Sequence, residues 1–239
     1  MVNAKKWNVR AKSLTNMHDI VKQISVSFSD NAHSENALAM AAYMKNNFPF
    51  WGIKTEKRRS LQTPFYAPFK VLDKKEQQAI IKELWSMPER EFHYFAMDLA
   101  SKIVKKTDQS WLSFWEPMLI TNAWWDSVDF IAPSLIGPLL KNDVALQEEY
   151  SWKWMESDKL WKQRAALIFQ IKYKDKTNAP LLFDLVLSCA ASKEFFLRKG
   201  SGWALREFGK TSPLEVSQFV NRHKDQLSGL TVREAIRRL

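Results

Sequence analysis

From about residue 17 to the end of the chain, apolar positions return every three or four residues, the period of helices that bury one face. Short interruptions divide this pattern at Pro49-Phe50-Trp51-Gly52, Met87-Pro88, Thr121-Asn122, Lys141-Asn142-Asp143, Asn178-Ala179-Pro180 and Gly209 to Pro213. The last is the most explicit. Gly209 is expected to close one helix in the left-handed conformation, and Ser212-Pro213-Leu214-Glu215 to open the next. There Ser212 is the N-cap, Pro213 the first helical residue and Glu215 the reciprocal capping partner. Runs of β-branched residues typical of strands are missing, and six glycines leave little material for hairpin turns. The pattern predicts an all-α chain.

The helices recur with a period. Aromatic residues near helix starts fall at Phe92, Trp125, Trp161 and Phe196, spaced by 33, 36 and 35 residues. Each opens a stretch of similar character: EFHYFAMDLA, WWDSVDFIAP, LWKQRAALIFQIKYK and FFLRKGSGWALREF. A two-helix unit of this length cannot bury its apolar face alone, so units stack into a solenoid with a concave side. The expectation is a HEAT-like helical repeat domain over residues 17–239, preceded by a loose basic arm over residues 1–16.

Charge narrows the partner. Lysine and arginine number 36 against 26 acidic residues, a formal net charge of +10. A surplus of that size implies a polyanion, nucleic acid before anionic membrane. No apolar run reaches spanning length, and no secretory signal follows Met1. The single cysteine, Cys189, lies in an apolar run and reads as buried packing, which suits a reducing cytoplasm. His18, His33, His93 and His223 lack ligand spacing, so no metal and no cofactor is expected. Monomer is the default.

On a helix from Ala123 to Ile136, Trp124, Val128, Ile131 and Leu135 share the core stripe, and Trp125 and Asp129 sit one turn apart on a neighbouring face. Pro133 cannot donate to the carbonyl of Asp129, so a bend is expected there. On these residues alone, edge packing for Trp125 and a solvated acid for Asp129 is the stronger reading. On a helix from Glu194 to Phe208, Leu197, Ser201, Ala204 and Phe208 form a core stripe. Lys199, Trp203, Arg206 and Lys210 form a cationic one. Gly200 and Gly202 cost about 1 kcal/mol each in helix propensity, which close approach of another backbone or a sugar-phosphate chain would justify. Arg164, Ile168 and Lys172 align beside Trp161. Lys57, Arg58 and Arg59 follow a helix start with Thr55 as N-cap, a cluster suited to phosphates.

The segments AAYMKNNFPFWGI, KELWSMPEREF, TNAWWDSVDFIAP, LWKQRAALIFQIKYK and SKEFF-x-x-KG-x-GW-x-LREF-x-K together resemble the bacterial alkylpurine DNA glycosylases of the AlkD type, a HEAT-like repeat superfamily. The resemblance runs in register from about residue 17 to the C-terminus. It implies that Trp125 and Asp129 are the catalytic tryptophan and aspartate, and Trp203 a second catalytic tryptophan. It further implies that Arg164 contacts DNA beside the active site and that Tyr43 lines it. Lys172, Lys199, Arg206, Lys57, Arg58 and Arg59 would hold the DNA. The implied activity is hydrolysis of the N-glycosidic bond of cationic N3- or N7-alkylated purines in duplex DNA, with the lesion still stacked. A catalytically inert HEAT-like DNA binder and a protein-binding scaffold are the alternatives. The intact Trp125, Asp129 and Trp203 set opposes the first, and the regular basic stripes oppose the second.

Overall fold

The computed structural model describes residues 18–237, so the expected basic arm over residues 1–16 lies outside the described residues. Every regular element among the described residues is helical. Contacts divide them into two compact units that meet between Ile103 and Val104.

The first unit contains α1 (Asp19–Asp30), α2 (Ser34–Tyr43), α3 (Thr55–Gln62), α4 (Tyr66–Lys70), α5 (Lys74–Ser86) and α6 (Arg90–Ile103). Its core is built from the apolar stripes the sequence shows: Val21, Ile24 and Phe28 of α1, Ile80, Ile81 and Leu84 of α5, and Phe92, Phe95 and Leu99 of α6, all buried. Helix α5 opens on a full capping box, with Asp73 and Glu76 satisfying each other's backbone N–H. The break predicted at Pro49 to Gly52 is held by Glu91. This buried carboxylate accepts the N–H groups of Trp51 (3.0 Å), Gly52 (2.9 Å) and Ile53 (3.2 Å). Burial pushes its pKa up, and the three N–H groups oppose that rise. Gly52 has φ +81°, and a Cβ there would stand 2.1 Å from the carbonyl oxygen of His33, so only glycine lets the loop pass.

The second unit contains α7 (Leu112–Trp115), α8 (Trp125–Ile131), a π-helical segment (Ala132–Ile136), α9 (Gly137–Leu140), α10 (Val144–Met155), α11 (Leu160–Ile168), α12 (Ala179–Ser188), α13 (Phe195–Gly209), α14 (Pro213–Arg222) and α15 (Gly229–Ala235). Helix α11 packs against α8, α10 and α13, and α13 against α14 and α15. Long-range polar contacts repeat the sequence period. Partners lie 35 residues apart for Asp129 and Arg164, 36 for Gly137 and Tyr173, 37 for Glu116 and Lys153, and 33 for Arg198 and Thr231. Each bond joins a residue to the neighbouring repeat, as stacked units require.

Several local expectations are corrected. The helix expected from Ala123 to Ile136 starts at Trp125 and widens into the π segment carrying Pro133, which replaces the simple bend. Thr55 is the first helical residue; Lys54 holds the N-cap position in extended conformation. Gly209 is the last residue of α13 and not a left-handed cap; Lys210 follows in right-handed helical conformation. Ser212 and Pro213 do open α14, but the Ser212 side chain makes no capping bond. Cys189 is half-buried, its thiol beside Ser201 Oγ at 3.5 Å. Gly200 and Gly202 do mark close approaches, made by protein. A Cβ on Gly202 would stand 2.4 Å from Glu234 Cβ and 2.8 Å from the Thr231 carbonyl of α15. Because that neighbour is partly backbone, Gly202→Ala should force α13 and α15 apart and destabilise by about 1 to 3 kcal/mol. Equilibrium denaturation measures this, and an unchanged midpoint would mean that α15 yields freely.

Candidate functional site

Helix α8 is short because extended Trp124 precedes it and the π segment follows. Its entry is fixed by Ser127, whose hydroxyl oxygen accepts the N–H of Trp124 at 3.1 Å. Trp125 is the first helical residue and Asp129 lies one turn later, both half-buried. This turn faces α11, which also packs on α13. Arg164 of α11 grips Asp129 with two parallel bonds, Nε to Oδ1 at 2.7 Å and Nη2 to Oδ2 at 2.8 Å. Its third nitrogen, Nη1, donates to the carbonyl of Phe196 at 2.6 Å. The guanidinium carbon lies 6.0 Å from the Trp203 ring centroid and 5.8 Å from that of Phe196. Gly200 makes room for this side chain, since a Cβ there would come within 3.1 Å of Nη1.

Three effects act on Asp129. Burial pushes its pKa above the ordinary aspartate value, the Arg164 guanidinium pulls it down, and nearby Asp126 pushes up again; the sum is upward. The Arg164 side chain is 4% exposed and that of Asp129 21%, so the arginine is closed off and the aspartate keeps part of its side chain at the surface. Such a group presents a carboxylate held in one orientation at a partly buried position, able to stabilise a cation or orient water.

An aromatic cluster borders the pair. Trp161 lies 5.2 Å from Trp124 and 4.8 Å from Phe196 between ring centroids, and Phe195, largely exposed, packs on Phe196 at 5.3 Å. Asp129, Arg164 and Trp203 thus come together, with Trp125 a turn before Asp129, and Arg164, named from the sequence as a DNA contact, is engaged by Asp129 and the Phe196 carbonyl. Phe196, whose carbonyl completes the Arg164 clamp, was read from the sequence only as a repeat marker; its place at the start of the fourth aromatic stretch was the available signal.

The cations named from the sequence divide into two groups. Lys57 and Arg59 are exposed on α3. Arg58 is buried, with Nη1 on Asp98 at 2.8 Å and on Gln62 at 3.2 Å. Lys172 is exposed and donates to Ser134 Oγ at 2.8 Å. It does not share a helix with Arg164, because α11 ends at Ile168. Lys199 and Arg206 flank Trp203 on α13 and both engage Glu234 of α15, which holds that carboxyl below its usual range, Lys199 contributing most. The sequence reading did not find Glu234. Tyr43 closes α2 in the first unit and is 69% exposed. No group of three or more metal-ligating side chains exists among the described residues, and none of their helices is long and apolar enough to cross a membrane.

The family model described as DNA alkylation repair enzyme matches residues 24–239. A solved structure titled as a predicted DNA alkylation repair enzyme from Enterococcus faecalis is 29% identical, with a TM-score of 0.81 over 87% of this chain and 96% of that one. AlkD2 from Streptococcus mutans is 15% identical, with a TM-score of 0.61 over 85% of this chain and 99% of that one. The protein smu.31 from Streptococcus mutans UA159 is 16% identical, with a TM-score of 0.58 over 77% and 98%. The last two share the fold. No curated protein matches the chain.

Proposed function

Because the chain belongs to the DNA alkylation repair enzyme family, we propose that it hydrolyses the N-glycosidic bond of cationic N3- and N7-alkylated purines in duplex DNA. The observation that carries this reading is the Asp129 carboxylate, fixed by the Arg164 fork beside Trp203 and still partly exposed. An alkylated purine is already cationic and departs as a neutral base, so the reaction needs no strong acid. What remains is positive charge developing on the deoxyribose and a water to add at its C1′. A preoriented carboxylate stabilises that charge and positions the water, whose proton leaves as the hydroxyl joins C1′. Tryptophan faces add about 0.5 to 2 kcal/mol of attraction for cationic groups. This chemistry requires contact with sugar and backbone only, which supports action on a lesion still stacked in the duplex.

Release of free base from duplex DNA bearing 7-methylguanine tests the proposal. Uracil and neutral oxidised bases should persist, since their leaving groups lack the charge on which the mechanism relies. Efficient uracil excision would point to a base-reading pocket and overturn it.

The DNA contact has its own test. Affinity should fall with salt by about 0.9 in log–log slope for each phosphate neutralised. Lys57→Ala should reduce that slope by about one, because the side chain is exposed. Arg58→Ala should leave the slope unchanged and lower thermal stability, because it breaks the bond to Asp98. Equal slopes for Lys57→Ala and the unaltered protein would remove α3 from the DNA-binding surface.

A further inference from the structure

A cavity of about 550 Å³ opens in the first unit, between α2, the loop before α3, and α6. Two features stand out in its lining. Aromatic faces come from Tyr43, Phe50 and Tyr94, the last two 6.5 Å apart between ring centroids. Its lysine and arginine groups come from α3 and the residue before it, Lys54 at the N-cap, Arg58 in the middle and Arg59 in the last turn, and among the described residues the lining holds no aspartate or glutamate. The three cations are not equivalent. Arg58 is already balanced by Asp98 and stacked over Tyr94 at 4.9 Å, so it is a rigid part of the wall. Lys54 and Arg59 are exposed, and no ion pair among the described residues engages them.

We propose that this cavity binds a nucleotide with a terminal phosphate, its base against the aromatic side and its phosphate between Lys54 and Arg59. The charges match: two uncommitted cations face a phosphomonoester of charge about −1.5 to −2 at neutral pH. The volume suits a single small ligand, since such sites span about 300 to 1,000 Å³. Aromatic side chains stack on any base, so the site discriminates by phosphate more than by base. The proposal stands independently of the Asp129 chemistry.

Calorimetric titration of the full chain with dAMP and with deoxyadenosine tests it. We expect saturable dAMP binding about tenfold or more tighter than deoxyadenosine, the worth of one or two charge-assisted contacts. The double variant Lys54→Ala/Arg59→Ala should lose that preference while keeping its circular dichroism spectrum, since both side chains are exposed. Tyr43→Ala should weaken both ligands alike. Asp129→Asn should change neither, which separates failure here from failure of the glycosylase reading. A tetranucleotide carrying a 5′-phosphate distinguishes the sources. Tighter binding than dAMP assigns the site to a strand end, and equal or weaker binding to a free nucleotide. Absence of saturable dAMP binding, equal affinity for deoxyadenosine, or an unaffected double variant would each overturn the proposal.

Discussion

Asp129→Asn should slow the release of 7-methylguanine by about 10² to 10³, the usual cost of removing one preoriented electrostatic group from a transition state. The substitution keeps the size of the side chain and removes its charge. It also spoils the fork, because an amide offers Arg164 one acceptor oxygen in place of two. Affinity for DNA should stay level or rise, since a carboxylate near phosphates is repulsive in the ground state. The pH dependence follows from the same group. The ionised carboxylate is the working form, so release above the spontaneous rate should fall on acidification, with its midpoint above the ordinary aspartate value of 3.8. Asp126 is the control on the same helix. Its carboxylate accepts the N–H of Ser127 at 2.9 Å, so Asp126→Asn should change release far less. Single-turnover release of radiolabelled 7-methylguanine measures all three. A rate for Asp129→Asn equal to that of the unaltered protein would make Asp129 a structural acid and end the catalytic reading of this cleft.

Much of this architecture is legible in the chain because a solenoid writes its contacts locally. Core stripes such as Val128, Ile131 and Leu135, or Leu197, Ser201, Ala204 and Phe208, follow from helical period alone. The spacing of Phe92, Trp125, Trp161 and Phe196 gives the repeat, and polar partners obey the same spacing. Asp129 meets Arg164 one repeat on, and Lys199 meets Glu234 at the same separation of 35 residues. That offset was readable but unused, and it would have paired these residues. What the sequence hid was the fate of each cation. A helical wheel places Lys199, Arg206 and Arg164 on faces suited to phosphate, and it is blind to a carboxylate arriving from the next helix. The glycines misled for a related reason. Gly200 and Gly202 signal close approach without saying what approaches, and here it is the Arg164 guanidinium and α15. The π segment was hidden as well, because Pro133 announces only that one hydrogen bond is lost.

Arg164→Ala should act on Asp129 and not on phosphate binding. All three guanidinium nitrogens are engaged, two by Asp129 and one by the Phe196 carbonyl, and the side chain is 4% exposed. Breaking a buried ion pair by removing one partner costs about 3 to 5 kcal/mol; the low end applies, because part of the Asp129 carboxylate remains in water. With its opposing cation gone, burial and the nearby Asp126 charge are left to act on Asp129 and its pKa rises further. The acid limb of the release profile should therefore move to higher pH, and activity should partly return as pH is raised. Arg164→Lys should hold the limb nearer its original position, because it restores the charge, but it loses the fork and some rate with it. The double variant Arg164→Ala/Asp129→Asn completes a cycle. It should be more stable than the sum of the two single losses, since no unpaired charge is left buried, by about 1 to 3 kcal/mol. A phosphate-binding role predicts otherwise: Arg164→Ala would lower the salt slope of DNA affinity by about one, leave the pH profile in place, and add independently to Asp129→Asn. Denaturation midpoints, pH–rate profiles and salt titrations on these four proteins choose between the two roles, and an unmoved acid limb in Arg164→Ala would show that the fork does not set the charge of Asp129.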